Sequence, residues 1–248
     1  MVIIIVILVM NLTVNQNLEV SIMKKAILAS VVTLLFINPV VRAEILIFDT
    51  SDSQFDAGVD NQGWWSDTLS NYDENDNYAI GIDPFSDSSH NFFSFDLSLL
   101  YLPVTSARLE LTRFNYLSSA ESETLGLFDV LTDAVTLNNN VGTSESIYDD
   151  LGSGISYGEF EILSDGLSTD VLSFELNAAA ISDINAARGG WFSIGGALLS
   201  PSSPAGIFGS SQDGGEQRLV LEVIPEPGTL FLFGIGVLLV RRRSRIKA

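Results

Sequence analysis

Cysteine does not occur anywhere in the 248 residues. Disulfides, thiolate zinc sites and a cysteine nucleophile are therefore excluded. Histidine occurs once, as His90, which rules out a multi-histidine metal centre. Between residues 44 and 224 there is no lysine, and only Arg108, Arg113, Arg188 and Arg218 carry positive charge. Against these 4 bases stand 29 acidic residues, a formal charge of −25 for that stretch. Such a field repels phosphate, so nucleic acid and anionic lipid are not expected as partners of this region. It favours solubility and offers many hard oxygen ligands to divalent cations. With no disulfide to help, the stretch must hold itself together by burial, and its 181 residues suffice for one core.

Long apolar runs are confined to the two flanks. Met23-Lys24-Lys25 opens a positive segment, Ala26 to Ile37 is apolar, and Val41-Arg42-Ala43 places small residues where a signal peptidase cuts. Residues 23–43 thus read as a signal peptide, with Glu44 as the mature N-terminus. Residues 1–22 carry no positive charge and read as an upstream extension, so Met23 is the expected start. Met1 to Met10 is too short to span a bilayer.

Residues 225–248 hold three features in order. Pro225 and Pro227 lack amide donors and keep Glu226 extended, which suits recognition by a processing enzyme. Gly228 to Val240 is apolar but covers only about 20 Å as a helix, against the ~30 Å of a hydrocarbon core. Snorkelling arginines and local thinning offset part of that gap, and so short a run suits a temporary anchor. Arg241, Arg242, Arg243 and Arg245 form a basic cluster expected to stay cytoplasmic. This order resembles the sorting tail of PEP-CTERM proteins. The resemblance implies an exosortase as partner, a transient stay in the inner membrane, and delivery to the cell surface or extracellular space. It also implies association with exopolysaccharide or biofilm in Gram-negative bacteria.

Residues 44–224 alternate in short runs. In Val104 to Phe114, Ala107, Leu109 and Leu111 share one face, with Arg108, Glu110 and Thr112 on the other. Gln217 to Val223 repeats the pattern with Leu219, Leu221 and Val223 inward, and Arg218 and Glu222 outward. Phe92 to Leu97, Leu125 to Leu131, Ile155 to Leu163, Val171 to Leu176 and Trp191 to Leu199 are further strands. Asn138-Asn139-Asn140 and Asp149 to Gly154 read as turns. One helix is predicted, Ala178 to Arg188, with Asn177 as N-cap and Gly189 beyond its end. Many strands without a βαβ rhythm predict a mainly β fold, an antiparallel jelly-roll-like β-sandwich with one short helix. No fixed-period repeat supports the alternative of a β-solenoid. Asn91 to Ser98, followed by Val104 to Leu111, is similar in pattern to strand pairs of secreted bacterial carbohydrate-binding-type sandwiches.

Candidate chemistry is sparse. Gly154-Ile155-Ser156-Tyr157-Gly158 matches G-x-S-x-G, but strand-like residues follow it where the nucleophile elbow needs a helix, and His90 precedes it. With 29 acids present, a carboxylate pair for glycoside hydrolysis carries no weight from sequence. Asp73, Asn75, Asp76 and Asn77 gather oxygen ligands as calcium loops do. Tyr78 replaces the glycine of an EF-hand and Pro84 its twelfth-position glutamate, so a sandwich-edge calcium site is the form left open. Trp64 and Trp65 follow Asn61-Gln62-Gly63 in an expected loop, and an exposed indole there would stack on a sugar ring. Trp191 is expected in the core. The leading expectation is a non-enzymatic, exported surface or matrix protein. The alternative is a calcium-assisted carbohydrate-binding module that engages extracellular polysaccharide.

Overall fold

Alternation of apolar and polar residues builds the centre of the smaller of two sheets. The computed structural model describes residues 43–50, 61–71, 77–208 and 217–224, and residues 42–226 form one compact unit. Strands β5 (Val104–Thr112) and β11 (Gln217–Val223) pair antiparallel, with Leu109 opposite Leu219 and Ala107 opposite Leu221. Strand β1 (Glu44–Asp49) flanks β11 and β8 (Val171–Glu175) flanks β5. Side chains alternate across a strand, so Ala107, Leu109, Leu111, Leu219, Leu221 and Val223 share one face, and all six are buried.

The larger sheet runs β10 (Ala205–Ile207), β3 (Ile80–Ile82), β4 (Ser88–Asp96), β9 (Trp191–Leu198), β6 (Ser122–Asp129), β7 (Ser156–Leu163). Strand β2 (Gln62–Trp65) also pairs with β4. Phe93, Phe95, Leu125, Leu127 and Ile194 on its inner face meet the small sheet in one core. Each large apolar side chain buried there contributes about 1.5–3 kcal/mol. Every pairing between named strands is antiparallel, and only β3–β4 and β6–β7 join strands adjacent in sequence. The chain therefore crosses repeatedly between sheets, giving the expected mainly β, antiparallel architecture, curled into a half-barrel.

The helix content differs from the single helix expected. The predicted one is present as α3 (Ala178–Ala186), and the Asn177 side chain accepts from the Ala179 and Ala180 amides as its N-cap. Two more helices precede it, α1 (Ala134–Asn139) and α2 (Glu145–Leu151). They are too short to display a helical period, and their signals are caps: Asp133 accepts from Thr136 N, and Ser144 from Ile147 N. The turn predicted at Asn138 to Asn140 is the end of α1, with Asn140 left-handed at φ 47°. The turn predicted at Asp149 begins inside α2. Both helices cover the outer face of the large sheet, where Leu137, Ile147 and Leu151 form a second small core with Trp65 and Phe92. Gly195 on β9 permits this approach, since a Cβ there would lie 2.5 Å from the Leu151 carbonyl oxygen.

Candidate functional site

β7 and β8 are the terminal strands of their sheets, and a groove opens between them. The groove is tied at one end by Asn177 N–H donating to Tyr157 O at 3.0 Å. At the other, the segment connecting β7 to β8 closes it, held to the end of β5 by the Arg113 and Phe114 amides, which donate to the carbonyls of Asp170 and Ser168 at 2.8 and 2.9 Å. Its volume is about 480 Å³. Phe160 and Phe174, 5.1 Å apart between ring centres, form its apolar floor with Ile162 and Leu172. Glu159, Glu161, Asp165 and Asp170 supply carboxylates around it. Arg113 also lines it, although it is only 3% exposed. Its guanidinium lies 5.3 Å from the centre of the Tyr116 ring, a cation–π contact. Both ion pairs among the described residues belong to Glu110 instead. The groove thus combines carboxylates with an apolar floor, and its one lining base is almost wholly buried.

Glu110 organises the outer face of the small sheet. Arg218 stands directly opposite it on β11 and donates from Nε at 2.7 Å, while Arg108 donates from its own strand at 2.6 Å. Burial by itself would raise the Glu110 carboxyl, but the two arginine hydrogen bonds and charges outweigh it and hold the carboxyl below its usual range. Two of the domain's four bases are spent on this clamp.

The tryptophan pair is not a loop platform. Both residues lie on β2, so they point to opposite faces. Trp65 is 3% exposed in the second core and donates its indole N–H to Leu137 O at 3.1 Å. Trp64 is half-buried. Of the calcium candidates, Asp73, Asn75 and Asp76 lie outside the described residues, and Asn77 Oδ1 accepts from Ala79 N at 2.9 Å. Among the described residues no three acidic or histidine side chains converge as a metal site would require. The preceding flank is anchored to the end of α1, since Asn71 Nδ2 donates to Asn140 Oδ1 at 2.5 Å.

Ser156 opens antiparallel strand β7, and its carbonyl accepts from Asn177 Nδ2 at 2.7 Å. This is not a strand-to-helix elbow. His90 is occupied by α2: its ring stacks on Tyr148 at 3.9 Å, and Nδ1–H donates to Tyr148 O at 2.7 Å. Burial holds its pKa below the ordinary value, against opposing effects of that carbonyl, Asp149 and Asp67. Sequence reasoning missed the groove because its walls come from β7, β8 and the end of β5. The one available signal was Arg113, a base in a region almost without bases.

Pro225, Glu226, Pro227 and the cluster Arg241, Arg242, Arg243 and Arg245 lie outside the described residues, but their family is decided by comparison. Residues 223–245 match the model for the PEP-CTERM protein-sorting motif. The chain carries a PEP-CTERM sorting tail. The motif marks this chain for export and sorting to the cell surface, with processing by an exosortase. The match begins at Val223, the last residue of β11. Comparison with curated proteins found no match.

Proposed function

We propose that this chain is a non-catalytic surface or matrix protein of an exopolysaccharide-producing cell. Residues 23–43 act as its signal peptide, and residues 228–240 hold it briefly in the inner membrane. The observation that carries this reading is the sorting motif that follows an acidic, lysine-free β domain. A strongly anionic domain stays soluble among secreted polymers. Cleavage chemistry belongs to the exosortase, which reads Pro225-Glu226-Pro227. The test is Glu226→Ala, followed by immunoblotting of fractionated cells. Unprocessed protein should accumulate in the inner membrane, and normal processing of that variant would overturn the assignment.

The groove between β7 and β8 favours a second reading, a carbohydrate-binding module. The surrounding carboxylates accept, and the Phe160–Phe174 floor meets the apolar side of a sugar ring. A glycan array with the full chain and with Arg113→Ala, each with and without EDTA, separates the two readings. Binding that is lost in the variant supports the module, and sensitivity to EDTA adds calcium to it. No glycan bound under any condition leaves the matrix protein.

A further inference from the structure

Residues 97–103 read Leu-Ser-Leu-Leu-Tyr-Leu-Pro, a loop between β4 and β5 without a charged residue in a domain at −25. Surface loops are normally polar. Leu97 and Leu100 turn into the core, but Leu99 and Tyr101 stand out at 74% and 75% exposed. Two contacts locate this loop: Ile224 N–H donates to Pro103 O at 3.4 Å, and Arg188 Nη1 donates to Tyr101 O at 3.3 Å. Leu99, Tyr101, Arg188 and the half-exposed Ile224 therefore share the end of the domain where the chain enters the sorting motif. Phe85, exposed ahead of β4, lies at the other end, because β4 runs the length of the sheet between them.

We propose that this end of the domain is a lipid-contacting face, and that Leu99 and Tyr101 enter the headgroup region of a zwitterionic bilayer while the tail is membrane-held. The proposal rests on the reading of residues 228–240 as a membrane segment. The chain beyond Ile224 reaches that segment within four residues, so this end is brought to the bilayer surface before any other. Leucine gains from leaving water, and tyrosine favours the interface, where its ring is apolar and its hydroxyl stays wet. Charge selects the lipid. The acidic surface elsewhere is repelled by anionic headgroups, whereas the loop is neutral and the exposed Arg188 beside it can donate to a phosphate oxygen. Contact is thus deepest on zwitterionic lipid and shallower as anionic lipid is added.

The absence of cysteine makes the test direct. Single changes Leu99→Cys, Tyr101→Cys, Phe85→Cys and Ile235→Cys are made in the full chain, spin-labelled and reconstituted in phosphatidylcholine nanodiscs. Collision rates with oxygen and with a water-soluble nickel complex are then measured. The label at Ile235 should be lipid-embedded. Labels at Leu99 and Tyr101 should collide with nickel several-fold less often than the label at Phe85, and adding phosphatidylglycerol should narrow that difference. An embedded label at Ile235 with Leu99 and Tyr101 as wet as Phe85 overturns the lipid face alone. A wet label at Ile235 overturns the membrane reading beneath it. Protection of Leu99 and Tyr101 only after an exosortase is co-reconstituted overturns lipid in favour of a protein partner.

Discussion

Trp64 and Trp65 are neighbours in sequence and have opposite fates, because a strand sends adjacent side chains to opposite faces. Trp65 fills the space beneath α1 and α2, so Trp65→Ala should cost about 3–5 kcal/mol and lower the Tm by roughly 10 °C. Trp64→Ala should cost about 1 kcal/mol or less by the same measure of half-burial. Equal losses in thermal melts would contradict this division. His90 offers a second residue-scale test. Its folded pKa is depressed below 6.5 mainly by burial, so the unfolded chain binds the proton more readily. The stability that His90 contributes is present above pH 6.5 and is lost as pH falls from there towards the folded value. His90→Gln should remove that slope, and melts of both proteins between pH 7.5 and 5, compared as a difference, would reveal it.

At the scale of elements, the small sheet owes part of its register to Glu110 between Arg108 and Arg218. Removing the carboxylate leaves two guanidinium groups side by side on neighbouring strands. Glu110→Gln should therefore destabilise by about 1–3 kcal/mol near neutral pH. The folded carboxyl lies below its ordinary 4.5, so its stabilisation is present above about pH 4.5 and is lost as pH falls through the folded value. The gap between variant and parent in urea titrations should close in acid, and a gap independent of pH would sink the clamp. Short elements escaped the sequence for a physical reason. Helices of six and seven residues do not complete two turns, so only their caps at Asp133 and Ser144 carry a signal.

For the whole molecule, the governing quantity is a charge of −25 between residues 44 and 224. Self-repulsion of that size should be relieved by divalent cations. If the segment around Asp73, Asn75, Asp76 and Asn77 binds calcium in the folded state alone, a hundredfold excess over Kd adds about 2.7 kcal/mol. The Tm should rise by roughly 5–10 °C. Magnesium at equal ionic strength is the control, because it demands octahedral geometry and sheds water reluctantly. A larger shift with calcium, abolished by Asp73→Asn with Asp76→Asn, supports a specific site. Equal shifts for the two ions reduce the effect to screening.

The sorting tail was legible in sequence because recognition there depends on residue order: Pro225-Glu226-Pro227, an apolar run, then arginines. The seven strand cores from Phe92 to Val223 were legible because period-two alternation is local. Alternation also named Ala107, Leu109, Leu111, Leu219, Leu221 and Val223 as core residues before any partner was known. What no local pattern holds is which strand lies beside which. Glu110 meets Arg218 across 108 positions, and Trp65 meets Leu137 across 72. The groove exists only because β7 and β8 end different sheets. Tertiary structure decided those pairings, since burying both faces of the large sheet requires α1 and α2 on one side and the small sheet on the other.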